Sequence, residues 1–93
     1  MIRTFADEET KRLFQREPVK RFRPPVRRRG LRKLLLVDAA ESLNDLRVPP
    51  ANRLEKLRGD REGQYSIRVN DQWRVCFRWE AGDAYDVEIT DYH

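Results

Sequence analysis

The chain carries one cysteine and one histidine among its 93 residues. A lone Cys76 cannot close a disulfide within the chain, and a lone His93 leaves no Cys/His cluster of the kind that holds zinc. Any chemistry is therefore expected to run without a metal or another cofactor. Long apolar runs are scarce as well: no stretch approaches the roughly 18 residues of a membrane span. The opening "MIRTFADEET" is too acidic and too poor in apolar side chains to read as a secretion signal. A cytoplasmic protein with no membrane contact is expected. At this length the chain forms one domain, residues 1–93, with a single modest core.

What the chain has in quantity is charge, and it is unevenly spread. Residues 1–33 hold 12 Lys/Arg against 4 Asp/Glu, a local +8, whereas residues 34–93 hold 8 against 12, a local −4. The excess sits in "KRFRPPVRRRGLRK", residues 20–33. Such a run is either a solvated helix face or a surface for a polyanion, with Arg27, Arg28 and Arg29 as candidate phosphate contacts.

"IRTF" reads as a short strand. Asp7, Glu8 and Glu9 then mark a helix start, where acidic groups meet the positive end of the helix dipole, and the helix should run to Pro18 with Ala6, Thr10, Leu13 and Phe14 on one face. Pro24 and Pro25 suit the opening of a second helix, from about Val26 to Ala40, with Leu31, Leu34 and Leu35 inward. Gly30 weakens it by roughly 1 kcal/mol relative to alanine, so bending or fraying is expected there. After the connection "SLNDLRVPPANR" the apolar period becomes two: Tyr65, Ile67, Val69; Trp73, Val75, Phe77, Trp79; Tyr85, Val87, Ile89. Helices first and strands afterwards predict an α+β fold, two helices packed on a small, mainly antiparallel sheet.

Keeping every apolar residue on one face selects three-residue loops at 70–72 and 81–83. Arg68 then opposes Arg74, Arg78 opposes Asp86, Arg74 opposes Thr90, and Tyr92 falls diagonally beside Arg74. Two arginines face to face repel unless something negative lies between them: either Glu88 and Asp91 neutralise them or they bind a phosphate. "GDREG" predicts a tight loop that brings Arg58 and Arg61 to the sheet edge. Tyr, His and several arginines on one sheet face make a plausible metal-free site for cutting RNA, whose 2′-hydroxyl supplies the nucleophile that DNA lacks.

The stretch "LRGDREGQYSIRVNDQWRVCFRW" with the terminal "DYH" resembles the HigB toxins of the RelE-like superfamily of type II toxin-antitoxin systems, in particular the plasmid-maintenance killer-protein branch. The resemblance extends over nearly the whole chain, including "MIRTF", "VDAA" and "RVPPANRLEKL". It implies a RelE-like microbial RNase fold, in which a β-sheet curves around two N-terminal helices, and cleavage of mRNA in the decoding site of a translating 70S ribosome without a metal. It also implies a HigA-like helix-turn-helix antitoxin as partner, through which alone the toxin reaches operator DNA. Position by position it makes Arg58, Arg74, Tyr92 and His93 catalytic. One well-studied branch has a histidine where this chain has Glu55, so Glu55 either acts as the base or pairs with Arg58 or Lys56, and a slower toxin is expected. Lys56, Arg61 and Arg68 complete the expected RNA contacts. A translation inhibitor that binds RNA without cutting it, and a plain protein-interaction module, are the competing readings.

Overall fold

The computed structural model describes residues 1–91; Tyr92 and His93, both expected in the site, lie outside the described residues. Helix α1 (Glu8–Phe14) starts at Asp7, whose carboxylate accepts the Thr10 N–H at 3.1 Å while Glu8 and Glu9 occupy the first turn. It ends sooner than Pro18 would dictate, because Arg16 turns left-handed at φ 64° and the chain reverses there. Helix α2 (Pro24–Ala39) opens on its two prolines, which need no amide donor in the first turn.

The inward face of α2 is Val26, Gly30, Leu34 and Val37. Leu31 is half-buried, and Leu35 is 40% exposed, one step round the helix from Leu34. Gly30 does not fray the helix as expected, since α2 runs unbroken through it. The glycine is buried between α1 and the last strand, and a Cβ there would stand 3.0 Å from Ile89 Cδ1 and 3.3 Å from Leu13 Cδ2.

The segment between α2 and the sheet holds two short 3-10 turns, Leu43–Arg47 and Pro50–Asn52. Asn52 is buried and pins this segment, donating to the Leu46 and Val48 carbonyls and accepting from Lys33 Nζ. The sheet is an antiparallel meander ordered β1 (Glu55–Lys56), β2 (Gln64–Arg68), β3 (Trp73–Glu80), β4 (Asp83–Asp91). Residues 2–5 run parallel to β4 along its outer edge through isolated bridges at Ile2–Ala84 and Phe5–Val87, short of a full strand.

Between the helices and the sheet lies the core, where Leu34, Val37, Ile67, Val75, Phe77, Val87 and Ile89 are all 0% exposed. Phe22 closes one end edge-on against Trp73, with ring centroids 5.2 Å apart. Each such side chain contributes roughly 1.5–3 kcal/mol by leaving water. Thr10 ties α1 to this layer, its Oγ1 accepting the Ile89 N–H at 3.0 Å.

The β2–β3 register is as the alternation predicts: Arg68 stands across from Arg74 and Ile67 across from Val75, with residues 70–72 as the loop. The β3–β4 register agrees only in its far half, where Arg74 faces Thr90 and Cys76 faces Glu88. Nearer the turn, Arg78 faces Tyr85 and Trp79 faces Ala84. The loop is Ala81–Gly82, both at positive φ, and a bulge at Asp86, φ 52°, absorbs the extra residue. Tyr85 therefore stands on the outer face under the Arg78 guanidinium, 5.5 Å from ring centroid to Cζ, while Ala84 takes the core position. The Arg78–Asp86 ion pair survives at 2.7 Å because the bulge swings Asp86 back toward it.

Candidate active site

The face of the sheet turned away from the helices carries two rows across the strands. One row is Glu55, Ser66, Cys76 and Glu88; the next is Arg68, Arg74 and Thr90. Arg74 is the centre of this face. Its residue is only 8% exposed, uncommon for an arginine, and three contacts fix its guanidinium. Nε donates to Ser66 Oγ at 2.7 Å, and Nη2 donates to the Arg53 carbonyl at 2.7 Å and to the Ser66 carbonyl at 3.4 Å. The Arg53 carbonyl points this way because Arg53 is left-handed, φ 45°, at the close of the Pro50–Asn52 turn.

Glu55 Oε2 lies 4.0 Å from Arg74 Nη2, with its side chain 51% exposed. Its partner is thus Arg74 rather than Arg58 or Lys56. β1 explains part of this: Glu55 pairs with Ser66 and Lys56 with Tyr65, so successive side chains leave by opposite faces. Lys56 accordingly sits on the side of β1 away from Arg74.

Arg61, from the 3-10 turn Gly59–Arg61, reaches Glu88 at 2.7 Å and Gln64 at 3.1 Å. It was expected as a phosphate contact, and on this face it also holds a carboxylate in place. Cys76 lies beneath at 0% exposure, and burial pushes its thiol up to about 11, so it is a packed side chain rather than a nucleophile. Arg58 is exposed at the residue preceding that turn.

Arg68 and Arg74 have different protein partners. Arg68 pairs with Asp71, whereas Arg74 is held by Ser66, Arg53 and Glu55, and Glu88 goes to Arg61. The basic triplet on α2 also divides, since successive helix residues point about 100° apart. Arg27 and Arg28 border an apolar groove against Leu13, Pro18 and Leu31, with Arg27 also donating to the Val19 carbonyl; Arg29 faces the end of β2. Ser66 and the Arg53 carbonyl, which orient the central arginine, were not foreseen. Strand parity puts Ser66 beside Arg74, but nothing in a serine marks it as an acceptor for a guanidinium.

A guanidinium fixed by its own protein and set on a polar face can donate to phosphate oxygens without being reorganised at the moment of reaction. A carboxylate 4.0 Å away can take a proton nearby. A group able to stabilise an anion and a group able to take a proton are therefore neighbours at Arg74 and Glu55.

Residues 3–93 match the family described as the RelE-like toxin of type II toxin-antitoxin system HigB. Over 61 residues the chain is 46% identical to Toxin HigB-1 of Vibrio cholerae serotype O1, covering 66% of this chain and 64% of that protein. Over 61 residues it is 39% identical to Endoribonuclease HigB of Proteus vulgaris, covering 66% of this chain and 65% of that protein. The matched stretch thus spans less than two thirds of each of these relatives. The fold is shared with the crystal structure of a YafQ mutant from E. coli, TM-score 0.70 at 15% identity over 99% of this chain and 92% of that one. It is shared too with the YoeB-YefM complex from Staphylococcus aureus, TM-score 0.63 at 20% identity over 100% of this chain and 95% of that one. With nearly its whole length matched by that family, the chain belongs to the HigB-like toxins, the RelE-like toxins of type II toxin-antitoxin systems.

Proposed function

We propose that this chain is the toxin of a type II toxin-antitoxin pair and acts as an endoribonuclease, cutting mRNA on the translating 70S ribosome and so halting translation and growth. The observation that carries this reading is Arg74: a nearly buried arginine, fixed on two of its nitrogens, displayed on a polar sheet face 4.0 Å from a half-exposed carboxylate. The relative in Proteus vulgaris named Endoribonuclease HigB supports the reaction class.

In the proposed reaction the RNA 2′-oxygen attacks its own phosphorus while a base takes the 2′-hydroxyl proton. The P–O5′ bond breaks as an acid protonates the 5′-oxygen, leaving a 2′,3′-cyclic phosphate and a 5′-hydroxyl. Arg74 and Arg58 hold the phosphate and the charge that builds on it. Glu55 or His93 takes the proton; His93 or Tyr92 supplies the other, and Tyr92 can also stack on a base. Arg61, Arg68 and Arg29 add phosphate contacts. The proposed partners are a HigA-like helix-turn-helix antitoxin, through which operator DNA is reached, and the ribosome in the cytoplasm. No helix among the described residues is long and apolar enough to cross a membrane.

Primer extension on cellular mRNA after induction tests the reading. Discrete new 5′ ends are expected from the parent chain and none from Arg74→Ala. Arrested translation with intact transcripts would instead mean an inhibitor that binds without cutting.

A further inference from the structure

Arg68 turns away from Arg74 into a second basic site. A cleft of ≈ 240 Å³ lies between α2 and the end of β2, lined by Arg29, Arg32, Lys33, Ala51, Arg68 and Val69. Four of its six lining residues are cationic. Arg68 pairs with Asp71, whose side chain is 99% exposed, and Lys33 Nζ donates to Asn52 Oδ1. Among the described residues no carboxylate pairs with Arg29, Arg32 or Lys33.

Four like charges facing one cleft repel one another, and the consequence is visible at Lys33. Its pKa is lowered, first by burial and then by Arg32, Arg29 and Arg68. A negative group in the cleft would relieve that repulsion. The two arginines of α2 and Arg68 offer flat, forked donors suited to phosphate oxygens, and Ala51 and Val69 supply apolar walls. Asn52, itself fully buried, fixes the position of Lys33 by accepting a hydrogen bond from its Nζ. Because Arg68 is the direct cross-strand partner of Arg74, the cleft begins one strand away from the proposed cleavage site.

We propose that this cleft binds a backbone phosphate of RNA, outside the scissile phosphate, through Arg29, Arg32, Lys33 and Arg68. The inference deepens the reading of the chain as an RNA-cutting toxin and rests on it. That phosphate comes either from the mRNA strand that continues past Arg74 or from ribosomal RNA beside it.

Two binding measurements separate these sources: fluorescence anisotropy with a single-stranded RNA of about ten nucleotides carrying 2′-methoxy groups, which block cleavage, and co-sedimentation with 70S ribosomes. The variants are Arg29→Ala/Arg32→Ala and Lys33→Gln, with folding checked by circular dichroism. On the single-stranded RNA each lost phosphate contact should flatten the plot of log affinity against log salt by about 0.7, so the double variant loses about 1.4 and binds roughly tenfold or more weakly. Weakening with the oligonucleotide identifies the mRNA strand; weakening on ribosomes alone identifies ribosomal RNA. Asp71→Asn, which removes the carboxylate beside Arg68, should shift binding in the opposite direction. Unchanged affinity and salt dependence in both measurements would overturn the proposal. Cleavage is read separately through Arg74→Ala, so a cleft that binds nothing leaves the nuclease reading standing.

Discussion

Ser66→Ala is the most incisive test of how the central arginine is held. Ser66 is 0% exposed, and its Oγ accepts from Arg74 Nε at 2.7 Å. Alanine fits the same space, so the change removes an acceptor and little else. The Nε–H is then left without that partner in a side chain only 10% exposed, while the Arg53 and Ser66 carbonyls still hold Nη2. A hydrogen bond to a charged group contributes roughly 1.5–3 kcal/mol. If that orientation energy is expressed in the transition state, cleavage falls roughly 10–100-fold, at 1.36 kcal/mol per factor of ten. The melting temperature should fall too, by roughly 4–8 °C for each kcal/mol lost in a chain of this size. The rate at which new 5′ ends form on a reporter mRNA in a purified translation mixture measures the first effect, and thermal unfolding measures the second. The loss should lie in kcat, because the arginine is still present to bind. A variant that melts lower yet cleaves within twofold of the parent would refute the reasoning, since Arg74 would then not owe its working geometry to Ser66.

Gly30→Ala sets two known effects against each other. Helix propensity favours alanine by roughly 0.8–1 kcal/mol, but its Cβ would meet Ile89 Cδ1 at 3.0 Å in a fully buried layer, and overpacking costs typically 1–3 kcal/mol. A net destabilisation of roughly 1 kcal/mol is expected by urea titration, and a stabilised variant would show that Ile89 moves aside easily. Cys76, with its thiol at about 11 and 0% exposure, should resist iodoacetamide at pH 8.5 in the folded protein and react fully in denaturant. Rapid labelling without denaturant would contradict that burial. Glu55→His places a base with a pKa near neutrality at the position 4.0 Å from Arg74 and should raise the cleavage rate near pH 7. No gain would mean that the residue at 55 does not limit the reaction.

How far the molecule can be read from its residues varies along the chain. The β2–β3 hairpin is legible because its alternation is unbroken and only one loop length keeps Ile67 opposite Val75. The β3–β4 hairpin misleads because Tyr85, Val87 and Ile89 alternate as if the strand were regular. Ala84 is too small to announce that it takes the core position, and nothing in Asp86 signals a left-handed bulge. Gly30 reads as a weak point by propensity and turns out to be a place where Ile89 of β4 packs against α2, since propensity ignores what the missing Cβ makes room for. In the site, Arg74 and Glu55 are both legible as candidates from the sequence, but their pairing is not. It depends on a backbone carbonyl turned by Arg53 and on a two-residue strand, neither of which leaves a pattern in the residue types. Arg32 and Lys33 read as part of a charge run, because only the folded chain brings Arg68 to them.

The first residues of the chain finish their structure on nearly the last described ones. Thr4 Oγ1 accepts from the Asp86 amide, 82 residues away, and Thr10 Oγ1 from that of Ile89, 79 residues away. During synthesis the N-terminal third emerges first and must wait for β4, because contacts of such long sequence separation cannot form until the strand they need has been made. Arg74 likewise faces no Thr90 until then. A growing copy of this protein therefore holds its two helices without the strand that receives them until β4 has been made.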